Sequence, residues 1–375
     1  AYDYLGHKIT IKVEDKNGKS ETLEFHGTIT QINLGKTNHD YDQVILTGKG
    51  NSIFVDEIRK QDTYSEMSIG DIAKKVLADA VELDIVNDPA PSYVTQYRET
   101  SYDFISRIAF KYGLWFFYNG KKLIIGDKPD AGQIDVRLGP HIEQMDLSLT
   151  IFPINFENSF YHYEDDELYS FKGADAKAPD MDKFGQTAYD GSQGMYTSIG
   201  SQPSYELFNK ESELKDFVTQ RVHSRAAQMM GLYGNSDQPG IQIGTKINVK
   251  DASDNTVGSY YIIQIDHSCD GQGHYSNSFQ AIPAALKSPP PNPNVRLPKA
   301  SPQVGHVVDN ADPDLLGRVR VQFHWQDAKK DETTPWIRVL YPYAGAGDSY
   351  FCPEIDDQVM VGFEMNNPDR PFVMG

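Results

Sequence analysis

Gly317-Arg318-Val319-Arg320-Val321-Gln322-Phe323-His324-Trp325, with Trp336-Ile337-Arg338-Val339 and Asn367-Pro368-Asp369-Arg370-Pro371-Phe372-Val373-Met374-Gly375, is the sequence from which the fold can be read. Apolar and polar residues alternate through it, the period-two pattern of a pleated strand with one buried face. Five such segments, 304–308, 317–325, 336–340, 358–363 and 371–374, fit into about 73 residues. Their number, shortness and spacing predict a small five-stranded Greek-key barrel. In front of it, Ser288-Pro289-Pro290-Pro291-Asn292-Pro293-Asn294 cannot join a ladder and favours extended polyproline geometry, which predicts a semi-rigid spacer.

Upstream of the spacer the chain reads as further β structure with helical insertions. Alternation over 8–13 and 23–29 predicts antiparallel strands, with Asn17-Gly18 as the turn between them. Ser68 and Asp71 predict a capped helix whose apolar face is Ile72, Ala73, Val76, Leu77 and Ala80. A second helix is predicted from Thr100 through Phe104, Ile105, Ile108 and Ala109, with Gly113 as its left-handed stop. Leu114-Trp115-Phe116-Phe117-Tyr118, Asn119-Gly120 and Lys121-Lys122-Leu123-Ile124-Ile125 predict a tight hairpin. The polar run 164–193 has no clear period and reads as an exposed loop. A long helix is expected over 211–230, capped by Gly231, and strands over 241–250, 260–266 and 275–283.

A chain of 375 residues with 30 Gly and 21 Pro among short apolar runs is too long for one ordinary domain. Its net charge of −18 opposes binding to nucleic acid or anionic membrane. The distal barrel matches the oligonucleotide/oligosaccharide-binding (OB) type in strand count, yet residues 300–375 carry six Arg or Lys against twelve Asp or Glu, the wrong sign for phosphate. No apolar run is long enough to cross a membrane as a helix, and Ala1-Tyr2-Asp3-Tyr4 shows no leader pattern. Cys269 and Cys352 are too few for a disulfide framework.

Catalytic signatures are missing. Neither a Gly-x-Ser-x-Gly elbow nor a His-Glu-x-x-His pair occurs, Gly18-Lys19-Ser20 lacks the upstream glycine of a phosphate loop, and Gly345-Ala346-Gly347 lacks the third glycine of a dinucleotide loop. Glu354, Asp356 and Asp357 are acid–base candidates only by composition and read as a solvated turn. His267, Cys269 and His274 lack a fourth metal ligand. No catalytic residue, metal or cofactor is expected. The aromatic hairpin could stack on glycans, but alternate aromatics more often fill a sheet core or subunit interface. Trp115, Phe117, Trp325 and Trp336 are therefore expected as core or interface anchors.

Gln96-Tyr97-Arg98-Glu99-Thr100 with Phe104, Arg107 and Gly113, the segment 275–283, the run 317–325 with Gly317, Arg318, Phe323 and Trp325, and the end 367–375 with Asp369, Arg370 and Pro371 resemble, in order, the VgrG family. These are the trimeric spike and hub proteins of the type VI secretion system, related to phage tail hubs. Asp357 and Asn366-Asn367 depart from the family's usual Gly and Gly-Asp, which marks a divergent member. The resemblance implies a mainly β fold with α+β insertions: two hub-type β-barrels, then the five-stranded OB-fold barrel, with a β-helix needle expected beyond Gly375. It implies a first barrel over 1–55, incomplete at its start, an α+β insertion over 56–146, a second barrel with a long helix over 147–286, a linker over 287–302 and the OB barrel over 303–375.

The implied partners are two further copies of the chain, a hexameric inner-tube protein, baseplate proteins, and a tip protein and effectors held beyond Gly375. No nucleic acid is implied, and membrane is met only by puncture. The implied setting is assembly in the bacterial cytoplasm followed by ejection. A phage tail or an extracellular contractile particle is the alternative setting, and a glycan-binding module the alternative function.

Overall fold

The structure is a computed structural model that describes residues 2–14, 23–35, 43–56, 58–77, 80–129, 132–270, 272–327, 332–341 and 351–375. The Asn17-Gly18 turn, Gly18-Lys19-Ser20, Lys329, Lys330 and Gly345-Ala346-Gly347 lie outside the described residues.

Strands β1 (Lys8–Val13), β2 (Leu23–Gly35) and β3 (Gln43–Gly50) form an antiparallel sheet. An α+β unit follows with β4 (Lys60–Ser65), α1 (Ile69–Leu77), β5 (Leu83–Val86), β6 (Tyr93–Glu99), α2 (Ser101–Lys111), β7 (Trp115–Tyr118) and β8 (Leu123–Gly126). Phe104, Ile105 and Ile108 of α2 meet Ile69, Ile72 and Ala73 of α1 in its core. Each fully buried Ile or Phe side chain there contributes about 1.5–3 kcal/mol. The hairpin β7–β8 joins the first sheet through the Tyr118 hydroxyl, which donates to the His26 carbonyl at 2.9 Å.

Next come β9 (Gln133–Arg137), β10 (Ile142–Leu149), β11 (Phe156–His162), β12 (Glu167–Lys172), α3 (Lys183–Met195), β13 (Gly200–Pro203), α4 (Glu211–Ala226), β14 (Met230–Ser236), β15 (Lys246–Lys250), β16 (Thr256–Cys269) and β17 (Tyr275–Pro283). A six-stranded sheet in the order β10-β14-β17-β16-β15-β9 encloses Val136, Ile142, Leu232, Ile247, Tyr260 and Phe279, and a bridge from Leu138 to Ile142 brings its edges together. The smaller sheet β12-β11-β13 packs on α4.

The distal barrel contains β18 (Gln303–Asp309), β19 (Arg320–Phe323), β20 (Gln358–Phe363) and β21 (Pro371–Val373), in the order β19-β18-β20-β21. The expected fifth strand over 336–340 pairs only at two bridges, but these close the barrel. Ile337 pairs with Val319 beside β19, and Val339 pairs with Val373 of β21. Val307, Val321, Phe323, Ile337, Val359 and Val361 fill the interior.

Four local expectations are corrected. The run 164–193 is not a loop but holds β12 and α3. Gly185, Gly191 and Gly194 weaken the helical signal of α3, and packing overrides it: Ala188 and Tyr189 bury against Val222 and Ala226, while Asp182 accepts from the Gly185 amide at 2.8 Å. The long helix stops at Ala226, and Met230 and Gly231 begin β14, because apolar Met229-Met230 suits a buried strand as well as a helix. The strand expected over 241–250 starts at Lys246. The Asn119-Gly120 turn is part of a four-residue loop, since Tyr118 pairs with Leu123 and the Asn119 side chain accepts from the amides of Lys121 and Lys122.

The proline run is not a free spacer. Ser224 donates to the Pro289 carbonyl at 2.7 Å, Trp115 Nε1 donates to Lys287 at 2.6 Å, and the Ala300 amide donates to Asn366 at 2.8 Å. Its extended backbone leaves carbonyls and amides unpaired; the body donates to Lys287 and Pro289, and the barrel accepts from Ala300.

Candidate functional site

Helix α2 places Arg107 at the boundary between the hub body and the distal barrel. Thr100 caps the helix by accepting from the Asp103 amide at 3.1 Å, and Gly113 ends it at φ +66°. A Cβ on Gly113 would also lie 2.6 Å from the Gln220 side chain. Arg107 donates through Nε and Nη2 to the two Glu99 oxygens at 2.8 and 2.9 Å, a bidentate pair, and through Nη2 to the Thr95 carbonyl at 2.8 Å. Its Nη1 reaches Asp369 Oδ2 of the barrel at 3.4 Å, and Asp369 Oδ1 accepts from the Thr95 amide at 2.7 Å. One guanidinium thus holds a strand of the body and a loop of the barrel.

The remaining joint is polar and almost dry. Asn367 is fully buried, donates to the Tyr205 carbonyl at 2.7 Å and accepts from the Asp369 amide at 2.9 Å. Arg370 donates to the Ser204 carbonyl at 3.2 Å, pairs with Glu364 and lies over the Phe160 ring, and Pro371 opens β21 behind it. Gln303 links the Trp325 indole to the Tyr97 hydroxyl, and Gln326 donates to Thr63 at 2.9 Å. Lys111 pairs with buried Glu206 at 3.3 Å.

Burial pushes the Glu99 carboxyl above the usual carboxylate range, against the pull of Arg107. Burial raises Asp369 too, opposed by Arg107 and Lys111. Desolvation works against the Arg107 charge, but Glu99 and Asp369 outweigh it and raise its pKa.

A second arginine cluster sits at the mouth of the barrel. Arg318 follows Gly317, which takes φ +70°, and donates through Nε and Nη2 to the two Asp312 oxygens at 3.1 and 2.9 Å. It also pairs with Asp314 and, across the boundary, with Glu164. The amides of Leu316 and Arg318 donate to the same Asp312 carboxylate at 2.9 and 3.1 Å. Hydrogen bonding from Arg318 holds Asp312 far below the usual carboxylate range.

The motif residues therefore converge. Tyr97, Glu99, Arg107, Asp369 and Arg370 meet in one joint, Arg318 serves the second cluster, and Phe323 stacks on Trp325 with ring centres 5.3 Å apart, Trp325 being tied to the joint through Gln303. Arg98 stands apart, exposed at φ +52°. Trp115 is buried against Tyr261, with Phe117 half-buried beside it, between the α+β unit and the six-stranded barrel. Trp336 is half-buried and outside the barrel core, because alternation points Ile337 inward, which leaves the interface half of its expected role. Phe116 and Tyr118 are half-buried and pack against the core of the α+β unit. His267 bonds Tyr275 and His274 bonds Asp270, and no cluster of three metal-ligating side chains occurs among the described residues. Thr95, Gln303 and Gln326 escaped the sequence reading, and Asn367 entered it only as a departure from the family pattern. The buried Asn-Pro-Asp turn was the available signal.

A family model described as the phage tail baseplate hub (GPD) matches residues 1–273, and one described as the type VI secretion system/phage-baseplate injector OB domain matches residues 303–375. The type VI secretion system spike protein VgrG1b of Pseudomonas aeruginosa is 22% identical over 427 residues, covering 99% of this chain and 53% of that protein. The spike protein VgrG3 of Vibrio cholerae is 23% identical, covering 94% and 37%. The chain spans about half the length of the Pseudomonas relatives it matches. In fold it is similar to an Escherichia coli component of the type VI secretion system that itself resembles the T4 tail proteins gp27 and gp5, with a TM-score of 0.63, 17% identity, and coverage of 97% and 86%. It is also similar to VgrG in the half-lidded Francisella PdpA–VgrG complex, with a TM-score of 0.59, 10% identity, and coverage of 98% and 67%. The hub match takes in most of the chain and the injector match the barrel clamped beneath it, so the protein belongs to the phage tail baseplate hub family, in its VgrG branch.

Proposed function

We propose that this chain forms the rigid body of a type VI secretion spike, a structural part that passes thrust from an inner tube to a puncturing tip. The observation that carries the reading is the Arg107–Glu99–Asp369 joint, which ties the distal barrel to the hub body by buried, directional bonds. A flexible linker would dissipate axial load. Here the spacer is bonded along its length and the barrel is plugged into the body.

The working form is a homotrimer. Leu34, Val44, Ile45 and Leu46 are exposed along the β2–β3 ribbon, and Leu340, Phe351 and Ile355 on the barrel, apolar surface of the kind that subunit interfaces cover. The domain division at 55, 146, 286 and 302 follows the same reading, with two hub units facing a hexameric tube and the barrels gathered on the three-fold axis. Baseplate proteins surround it, and a tip protein and effectors engage parts of the relatives' length that this chain does not span. Assembly takes place in the cytoplasm, with ejection on firing. The role needs no reaction from this chain. Light scattering coupled to size exclusion tests the assembly: a mass three times the 42.1 kDa of the chain is expected, and a monomer at micromolar concentration contradicts it.

A further inference from the structure

One residue of β6 breaks a local rule. The ladder to β4 runs from Gln61 opposite Tyr97 to Lys60 opposite Glu99, so Arg98 has no partner, and its φ is +52°. Left-handed backbone disfavours a Cβ, and glycine or asparagine is the ordinary occupant of such a bulge. The bulge lets the chain leave the ladder and enter α2 at Thr100, a turn that glycine would make at lower cost. What arginine adds is its side chain, which is exposed between buried Tyr97 and buried Glu99 and lines a cleft of about 560 Å³.

Arg59, Arg296 and Lys299 line the same cleft. Arg107, Arg318, Arg338 and Arg370 all hold carboxylates, but among the described residues none of the four cleft cations does. Among the described residues Arg98 meets the Tyr97 ring, at 5.6 Å, and no carboxylate. In a chain of net charge −18, four unclaimed cations gathered in one cleft, one of them on strained backbone, mark a place for an anion.

We propose that this cleft binds an acidic peptide segment of a partner protein, with the Arg98 guanidinium taking one carboxylate and Arg59, Arg296 and Lys299 its neighbours. A planar fork matches a carboxylate in two parallel hydrogen bonds. Asp56, Asp103 and Glu99, the last already held by Arg107, interrupt the positive lining, which suits spaced carboxylates on a pliable strand better than a continuous phosphate backbone. The proposal holds whether or not the chain is a trimer.

Anisotropy of a fluorescein-labelled hexaglutamate peptide, titrated with the full chain at low ionic strength, is the test. Arg98→Gly removes the fork and relaxes the backbone, so the fold is kept and the unfolding midpoint is equal or higher. Binding by that variant is expected to weaken about tenfold, the scale of one charge-assisted bidentate contact. Lys74→Ala removes the same charge from exposed α1 and should bind as the wild type does. Absent peptide binding, equal affinity in Arg98→Gly, or an equal loss in Lys74→Ala overturns the proposal. So does a single-stranded oligonucleotide that binds as tightly as the peptide.

Discussion

Arg107 and Arg318 each gather carboxylates from distant parts of the chain, yet the two clusters respond to their surroundings in opposite ways. Around Arg107 the partners are all buried, and burial raises both Glu99 and Asp369. Around Arg318, Asp312 is buried as well, but Asp314 and Glu164 are open to water, and hydrogen bonding from the guanidinium lowers Asp312. A dry ion pair is costly to assemble and costlier to break, because removing one partner strands the other in low dielectric. Pairs to exposed partners, such as those of Arg318 with Asp314 and Glu164, are screened and replaceable. The first geometry suits a permanent lock between the hub body and the distal barrel, the second a brace for the loop 312–318 with one exposed tie across the boundary, to Glu164.

The widest separation between the clusters comes from deleting each cation. Arg107→Ala leaves Glu99 and Asp369 buried without a counter-charge and should cost about 3–5 kcal/mol in denaturant unfolding. A cost below about 1 kcal/mol would remove the joint from the account. Asp369→Asn keeps an acceptor for the Thr95 amide but loses the charge, with an expected cost of about 1–3 kcal/mol. Arg318→Ala should cost about 1–2 kcal/mol, since the loop amides still satisfy Asp312. A larger loss than for Arg107→Ala would reverse the comparison. Trp336→Ala, outside both clusters, should cost about 1 kcal/mol or less, and Ile337→Ala in the core about 2–4 kcal/mol.

The clusters also differ in the sign of their pH dependence. A carboxyl raised by folding contributes most stability below its unfolded pKa and loses it as pH climbs through the raised value. Glu99 and Asp369 belong to this class. Asp312, lowered from an ordinary 3.8, contributes above that value and loses its share as pH falls. Hydrogen exchange reads both sites directly. Between about pH 5 and pH 2 the Leu316 and Arg318 amides should lose protection while the Thr95 amide keeps it. Loss at Thr95 first would contradict the assignment.

Much of the fold was legible in the sequence because alternation and capping are local. Thr100 and Gly113 bound α2, and the apolar periods of 304–308 and 358–363 mark barrel strands. The joint was legible only as motifs without contacts. Arg107 and Asp369 stand 262 positions apart, and nothing local says that a polar Asn-Pro-Asp turn is buried against a helix arginine. The family resemblance brought the two motifs onto one page, and folding alone joined them. Helix α3 was missed for the opposite reason, since its glycines argue against a helix that tertiary packing imposes. Trp336 is not a core residue, because the pleat directs Ile337 inward in its place.

The central claim is that the joint makes hub body and distal barrel one unit, and scanning calorimetry of the full chain tests it most directly. A single cooperative transition is predicted for the wild type, with the barrel separating as an earlier transition in Arg107→Ala. A wild-type barrel that melts on its own, below the body and at the same temperature with or without Arg107, would contradict it.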